Sequence, residues 1–136
     1  MRLIGVDYGR RRIGLAVTDE TAVLVRGLPT IDRKKCGDCR AALAAIIASE
    51  RPGALVFGLP LDADGRDTAM AAEIRAFAEG IKKDSGLPVY FVDESLTSKK
   101  AAELLRFRKK KIRRDKSATD RIAACLILEQ FLKEQK

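Results

Sequence analysis

The sequence predicts an α/β fold, a mixed sheet with helices on both faces, within one domain of residues 1–136. Three apolar runs joined by tight polar connections come first, which is typical of a three-strand antiparallel meander. Two further apolar runs then alternate with stretches of helical periodicity, which is the pattern of parallel βαβ units. A chain of this length can bury a real core but forms a single domain.

Each predicted strand is an apolar run that ends at turn residues. The five runs are Arg2–Tyr8, Ile13–Asp19, Ala22–Ile31, Ala54–Leu59 and Val89–Val92. The fourth is apolar on both faces, as a buried parallel strand should be. Helices are expected from Gly37 to Arg51, from Asp67 or Thr68 to Gly86, from Thr97 to near Phe107, and from Ser117 to the end.

Histidine is absent from the chain, which excludes several kinds of active site. Ser-His-Asp triads, Cys-His nucleophiles, histidine general bases and HExxH zinc sites all require it. No apolar run approaches the roughly 18 residues of a membrane span. Because Met1 leads directly into a strand rather than a signal peptide, we expect a cytoplasmic protein with no membrane partner.

Cys36 and Cys39 form a CxxC pair, and Cys125 is the third cysteine of the chain. A structural zinc site needs four ligands, which three cysteines without histidine do not supply. A redox pair should follow a strand in a thioredoxin-like context, whereas three basic residues precede this one. We therefore interpret the pair as ordinary thiols at a helix start and Cys125 as a small core residue.

The stretch from Lys99 to Lys116 contains ten basic residues and two acidic ones. Its charge of +8 equals that of the whole chain, because the other 118 positions hold 17 basic and 17 acidic residues. A solvated surface is the ordinary interpretation of a charge run. Here the concentration of charge and the nearness of Asp120 favour contact with a phosphate backbone. We expect residues 108–116 to form a mobile loop that orders on nucleic acid.

Acidic residues stand at three places where they are out of character with the predicted fold. Asp7 lies near the end of the first strand, where it either serves a site or caps the turn at Gly9. Asp93 and Glu94 follow the last strand, and strand alternation points them in opposite directions, so one of the two should face a common site. The alternative is that these acids cap the next helix.

Asp120 is predicted to lie on the apolar face of the last helix. That face comprises Ala123, Ala124, Ile127 and Phe131, and the opposite face comprises Glu129, Gln130, Lys133 and Glu134. A favourable interaction with the helix dipole would explain an acid near this end of the helix, but not its place on the buried face.

We expect the three acidic positions to converge, because open α/β sheets place their sites at the carboxyl ends of parallel strands. Converging carboxylates repel one another unless cations neutralise them. Mg²⁺ and Mn²⁺ accept such oxygen ligands, and two ions about 3.5–4 Å apart can promote phosphodiester hydrolysis by water.

Four segments together carry a family pattern: DYGRRRIG at residues 7–14, GLPLDADG at 58–65, DESLT at 93–97 and KSATDRIAACLIL at 116–128. In order and spacing they resemble the YqgF/RuvX family of Holliday-junction-resolvase-like nucleases, also described as pre-16S rRNA nucleases. The resemblance covers essentially the whole chain. It implies an RNase H-like fold and a metal-dependent acidic site.

Residue by residue, the resemblance implies catalytic roles for Asp7, Asp93, Glu94 and Asp120. Of these, Asp7, Glu94 and Asp120 are the expected ligands of Mg²⁺ or Mn²⁺ in a two-metal site. Ser95 departs from the family, which usually has arginine there, so no phosphate contact is implied at that position. The residues expected to bind the nucleic-acid backbone are Arg10, Arg11, Arg108, Lys109, Lys110, Lys111, Arg113, Arg114 and Lys116.

The expected substrate is structured nucleic acid, either the 5′ end of pre-16S rRNA during ribosome biogenesis or a Holliday junction. The oligomeric state, monomer or homodimer, stays open. Two other functions also stay open at this point. One is a nucleic-acid-binding factor without catalysis, and the other is a fragment of an actin-like ATPase, because residues 7–9 resemble the phosphate-binding turn of that superfamily. Such ATPases need two domains around the nucleotide, and this chain supplies one.

Overall fold

A computed structural model of the chain describes residues 1–94 and 116–135, with side chains of the second range described from residue 120 onward. The described residues form a five-stranded mixed sheet in the order β3-β2-β1-β4-β5. The elements are β1 (Leu3–Tyr8), β2 (Arg12–Thr18), β3 (Val25–Asp32), α1 (Arg33–Cys36), α2 (Cys39–Glu50), β4 (Ala54–Leu59), α3 (Ala69–Ser85), β5 (Val89–Asp93) and α4 (Lys116–Glu134).

The sheet combines the two predicted strand arrangements. β1, β2 and β3 pair antiparallel as a meander, and β1, β4 and β5 pair parallel. This confirms the predicted fold class. The helix predicted from Thr97 to near Phe107 lies outside the described residues.

The third strand begins at Val25, three residues later than predicted, because Asp19 organises a longer turn. Its Oδ1 accepts hydrogen bonds from the amides of Val23 at 2.9 Å and Leu24 at 3.1 Å. Ala22, predicted to open the strand, instead has a left-handed backbone with φ 58°.

Helix boundaries follow from capping side chains. Asp32 caps the short helix α1, which has too few residues to show periodicity and was not predicted. Asp38 caps α2, and the Thr68 side chain accepts a hydrogen bond from the Ala71 amide at the start of α3. A cap of this kind stabilises a helix by about 1 kcal/mol. Gly86 ends α3, as predicted, and the structure gives it a left-handed backbone with φ 72°.

Each face of the sheet is covered by its own apolar layer. On one face α2 and α3, the latter through Ile74 among others, cover sheet side chains that include Val6, Leu15, Leu55 and Phe57. On the other face α4 contributes Ala124, Ile127, Leu128 and Phe131 to a second layer, in which they cover Leu3, Ala16, Ala54, Val56 and Val92 of the sheet. The helices therefore lie on both faces, as predicted. No helix among the described residues is long and apolar enough to cross a membrane.

Candidate active site

The candidate site lies at the carboxyl ends of the parallel strands β1, β4 and β5, on the face covered by α4. Asp7 pairs with Gly14 across the β1–β2 ladder, and directly paired residues share a face. A side chain at Gly14 would meet Asp120 of α4. Asp7 and Asp120 thus belong to the same face of the sheet.

Asp93 and Glu94, at the end of β5, lie in different environments. The Glu94 amide donates a hydrogen bond to the Leu59 carbonyl at 3.0 Å, which extends the strand pairing by one residue. Glu94 shares the face of Val92, two residues earlier, and its side chain is 7% exposed. Asp93 points the other way and is exposed. Glu94 is therefore the member of the pair that faces Asp7.

Asp7 and Glu94 form a coupled carboxyl pair. Burial raises the pKa of Glu94 from 4.5 to about 9, helped by the charge of Asp7, the hydrogen bond with Asp7 and the charge of Asp93. Burial also raises the pKa of Asp7, an effect opposed by the hydrogen bond with Glu94 and reinforced by the charge of Asp120. At neutral pH Glu94 therefore holds a proton and donates it in a hydrogen bond to the Asp7 carboxylate.

Gly58 of β4 makes room for the Glu94 side chain. A Cβ built at Gly58 would lie 2.7 Å from Glu94 Oε2, 3.0 Å from Glu94 Cβ and 2.6 Å from Ile127 Cδ1 of α4. Any larger residue would displace either the carboxyl group or the helix. Glycine at position 58 is therefore required for Glu94 and α4 to lie where they do.

Asp120 is held at the edge of the site by an ion pair with Arg12. The Arg12 Nε donates to Asp120 Oδ2 at 2.9 Å, and the two side chains are 24% and 23% exposed. Gly14 lets α4 come this close, because a Cβ there would lie 2.9 Å from Asp120 Cβ and closer still to the Asp120 carbonyl oxygen.

The predicted acids are brought together, though not in a metal-holding geometry. Across residues 1–94 and 120–135, no group of three or more Asp, Glu, Cys or His side chains is placed to hold a metal ion. Asp7 and Glu94 are instead hydrogen-bonded to each other, and Asp120 is paired with Arg12. The carboxyl oxygens are nevertheless the donors that Mg²⁺ and Mn²⁺ prefer, so the residues fit such a cation.

The predicted backbone-binding residues fall into two groups. Arg10 and Arg11, in the turn between β1 and β2, are exposed, and Arg11 forms a 3.5 Å ion pair with Asp32. The others lie outside the described residues, except Lys116, of which the structure gives only the backbone at the start of α4. Their role in binding stays a prediction.

The β4–α3 loop and the CxxC pair have local explanations. Asp62 Oδ1 accepts hydrogen bonds from the amides of Asp64 and Arg66, both at 2.9 Å, which orders the loop from Gly58 to Gly65.

The Sγ atoms of Cys36 and Cys39 are 3.5 Å apart, and both thiols are free and packed against the core.

Sequence reasoning missed Arg12, the first residue of β2, which directly follows the two expected phosphate contacts Arg10 and Arg11. Its pairing with Asp120 spans 108 residues, so no local pattern indicates it. The glycines offered a usable signal. Gly5, Gly14 and Gly58 interrupt apolar strands, and each faces α4. A glycine within a strand indicates close approach of another part of the chain.

Comparison with known proteins identifies the family. The family model described as "RuvX: Holliday junction resolvase" matches residues 1–134. The chain belongs to the RuvX family. This membership makes it a nuclease, and the alternatives of an ATPase fragment and of a non-catalytic binding factor are set aside.

Relatives of this RuvX-family chain include two proteins named "Putative pre-16S rRNA nuclease". The protein of Synechococcus elongatus is 42% identical over 133 residues, covering 98% of this chain and 89% of the relative. The protein of Chromobacterium violaceum is 40% identical over 129 residues, covering 94% of each.

Solved structures resemble the RuvX-family chain in fold. Thermus thermophilus RuvC in complex with a Holliday junction substrate matches with a TM-score of 0.61 at 18% identity, covering 99% of this chain and 96% of the other. The fowlpox virus resolvase in complex with Holliday junction DNA matches with a TM-score of 0.67 at 12% identity, covering 99% of each chain. These likenesses confirm the RNase H-like fold.

Proposed function

We propose that residues 1–136 act as one metal-dependent endonuclease domain in the cytoplasm, which hydrolyses phosphodiester bonds in structured nucleic acid. The proposed substrate is the 5′ end of pre-16S rRNA within a ribosome precursor. Support for this substrate comes from the relatives at 42% and 40% identity, whose names refer to that RNA.

The observation that carries the proposal is the buried Asp7–Glu94 pair at the strand ends. Burying two carboxyl groups in contact is costly, because each disfavours the charge of the other. The proton on Glu94 reduces this cost in the metal-free protein without removing it. A cation bound between the two groups would remove their mutual repulsion, so the pair supports a site that takes up a cation.

The proposed division of roles follows from position. Asp7, Glu94 and Asp120 would hold Mg²⁺ or Mn²⁺, which as a two-ion site supplies an activated water and stabilises the leaving oxygen. Glu94 has to release its proton to serve as a ligand. Asp93, exposed beside Glu94, contributes negative charge at the rim, where its field raises the pKa of Glu94.

Basic residues would bind the nucleic-acid backbone around this acidic centre. Arg10 and Arg11 lie in the turn that follows β1, so they lie near the same sheet edge as Asp7. The segment from Lys99 to Lys116 connects β5 to α4 in sequence, and both of these elements contribute to the site. Phosphate contacts from both groups would position the backbone without reading its sequence.

The testing experiment is a cleavage assay of wild type and Asp7→Asn on a pre-16S rRNA fragment, with Mg²⁺ or Mn²⁺. We expect Asp7→Asn to lose cleavage while binding the RNA as well as wild type does, because only the acidic centre has changed. The matched control is Asp84→Asn, since Asp84 pairs with Arg40 on the helices of the opposite face. The metal-site assignment is wrong if Asp7→Asn cuts as fast as wild type.

A four-way DNA junction is the second candidate substrate, favoured by the description of the family model that matches the chain. The same assay with a junction in place of RNA decides between the two. Paired cuts in a two-fold symmetric junction need two active sites, so a homodimer is expected with this substrate. A monomer that cleaves RNA and leaves junctions intact favours the rRNA substrate.

A further inference from the structure

Arg12 occupies a distinctive position between the acidic centre and the expected path of the nucleic acid. It opens β2 directly after the exposed arginines Arg10 and Arg11, yet its side chain is largely buried against α4. Among the described residues, the acceptor that its guanidinium contacts is Asp120, through Nε at 2.9 Å. The guanidinium also has two terminal nitrogens, which can donate to further acceptors.

The ion pair has a direct bearing on metal uptake. Asp120 is one of the three proposed ligands, and in the metal-free protein its carboxylate is already neutralised by a side-chain cation. A divalent cation binding all three carboxylates must therefore displace Arg12 or weaken its hold on Asp120. Arginine binds carboxylate and phosphate with the same planar donor geometry, so a displaced guanidinium has a second suitable partner in nucleic acid.

We propose that Arg12 is an exchangeable counter-ion of the site. It holds Asp120 in the metal-free protein, releases it when the cation binds, and then contacts a phosphate of the bound nucleic acid. This inference rests on the proposed function, because it needs both the cation and the substrate. It makes Arg12 a positioning residue for Asp120 and a specific backbone contact at the cleavage site.

Metal titration tests the first half of the inference. Wild type, Arg12→Gln and Arg11→Gln are titrated with Mn²⁺ by calorimetry in the absence of nucleic acid. Arg12→Gln should bind Mn²⁺ about fivefold more tightly than wild type, the upper end for losing a competing partly exposed ion pair. Arg11→Gln removes the same charge one residue away, where the partner is Asp32, and should change the affinity by less than about twofold.

Three outcomes of the titration have distinct meanings. Tighter binding confined to Arg12→Gln supports the exchange. Equal or weaker binding by Arg12→Gln refutes it, since Arg12 would then be a fixed support of Asp120 and the proposed function would stand. A wild type that takes up no Mn²⁺ refutes the proposed metal site and the exchange together.

Binding of a nucleic-acid duplex tests the second half. Ca²⁺ replaces Mn²⁺ in this experiment to prevent cleavage. The plot of the logarithm of the association constant against the logarithm of the salt concentration has a negative slope, and Arg12→Gln should make it less steep by about 0.9, the value for one lost phosphate contact. In EDTA the substitution should change the salt slope less, because Arg12 of wild type then stays paired with Asp120 and does not contact the phosphate. A slope that is unchanged in both buffers overturns the phosphate contact. Arg12→Lys should restore both the salt slope and the Mn²⁺ affinity of wild type, since the lysine ammonium can pair with either the Asp120 carboxylate or a phosphate.

Discussion

Replacing Glu94 by glutamine should stabilise the metal-free protein at neutral and alkaline pH. The Glu94 carboxyl has a pKa of about 9 in the folded protein, against 4.5 for an ordinary glutamate. Between these values the folded state keeps a proton that the unfolded state has lost. The stabilisation from this proton is complete below pH 4.5, and it is lost progressively as the pH rises towards 9.

The magnitude follows from the size of the shift. One proton held only by the folded state lowers the free energy of unfolding by about 1.4 kcal/mol per pH unit. From pH 5.5 to 7.5 the free energy of unfolding of wild type should therefore fall by about 3 kcal/mol more than that of Glu94→Gln. The neutral amide of the variant does not titrate, and it can still donate a hydrogen bond to Asp7.

The assay is urea unfolding followed by circular dichroism in EDTA at pH 5.5, 6.5 and 7.5. Glu129→Gln, on the exposed side of α4, is the matched control and should follow wild type at every pH. Equal pH slopes for wild type and Glu94→Gln would refute the reasoning, since Glu94 would then titrate alike in both states. Added Mn²⁺ should stabilise wild type more than the variant at pH 7.5, because the variant lacks one proposed ligand.

Two further predictions concern Gly58, which makes room for Glu94, and the basic residues 109–111. Gly58→Ala should destabilise the protein by about 1–3 kcal/mol and reduce cleavage, because its methyl group would meet Glu94 and Ile127. Gly27→Ala is the control, measured by urea unfolding and by cleavage rate, since its nearest neighbour is the adjustable side chain of Arg121. A Gly58→Ala protein as stable and active as wild type would contradict the packing. Neutralising residues 109–111 to glutamine should weaken duplex binding and flatten its salt dependence by about 0.9 per lost contact, while Mn²⁺ affinity is kept. The same change at residues 82–83, at the end of α3, should leave both unchanged, and an unaltered salt slope for 109–111 would show that those cations are not backbone contacts.

The fold was predictable because its signals are local. Apolar runs, a change of period after Gly37 and capping residues such as Thr68 each report on a few neighbouring positions. The errors also have local causes. The start of β3 was misplaced because Asp19 uses its side chain to extend the turn, a choice that hydrophobicity does not register.

The candidate site was predictable only in part. Out-of-place acids pointed to Asp7 and Asp120. Strand alternation predicted that Asp93 and Glu94 point in opposite directions, as the exposed Asp93 and the buried Glu94 do, but it did not say which of them is buried. The ion pair between Arg12 and Asp120 was beyond reach, because it depends on where α4 lies over β2. Charge counting also could not show that Glu94 holds a proton, since that depends on its burial beside Asp7.

The seating of α4 on strand glycines has a consequence for how substrate choice can change in evolution. Gly5, Gly14 and Gly58, together with Arg12, fix the depth and register of the helix that carries Asp120. None of them belongs to residues 95–115, which carry +7 of the chain's net charge of +8. If the cations of that stretch bind the nucleic-acid backbone as proposed, substitutions among them should alter this binding without changing the residues that seat α4. The proposed metal ligands and most of the proposed backbone-binding residues therefore lie on different parts of the chain, so the two sets can change independently.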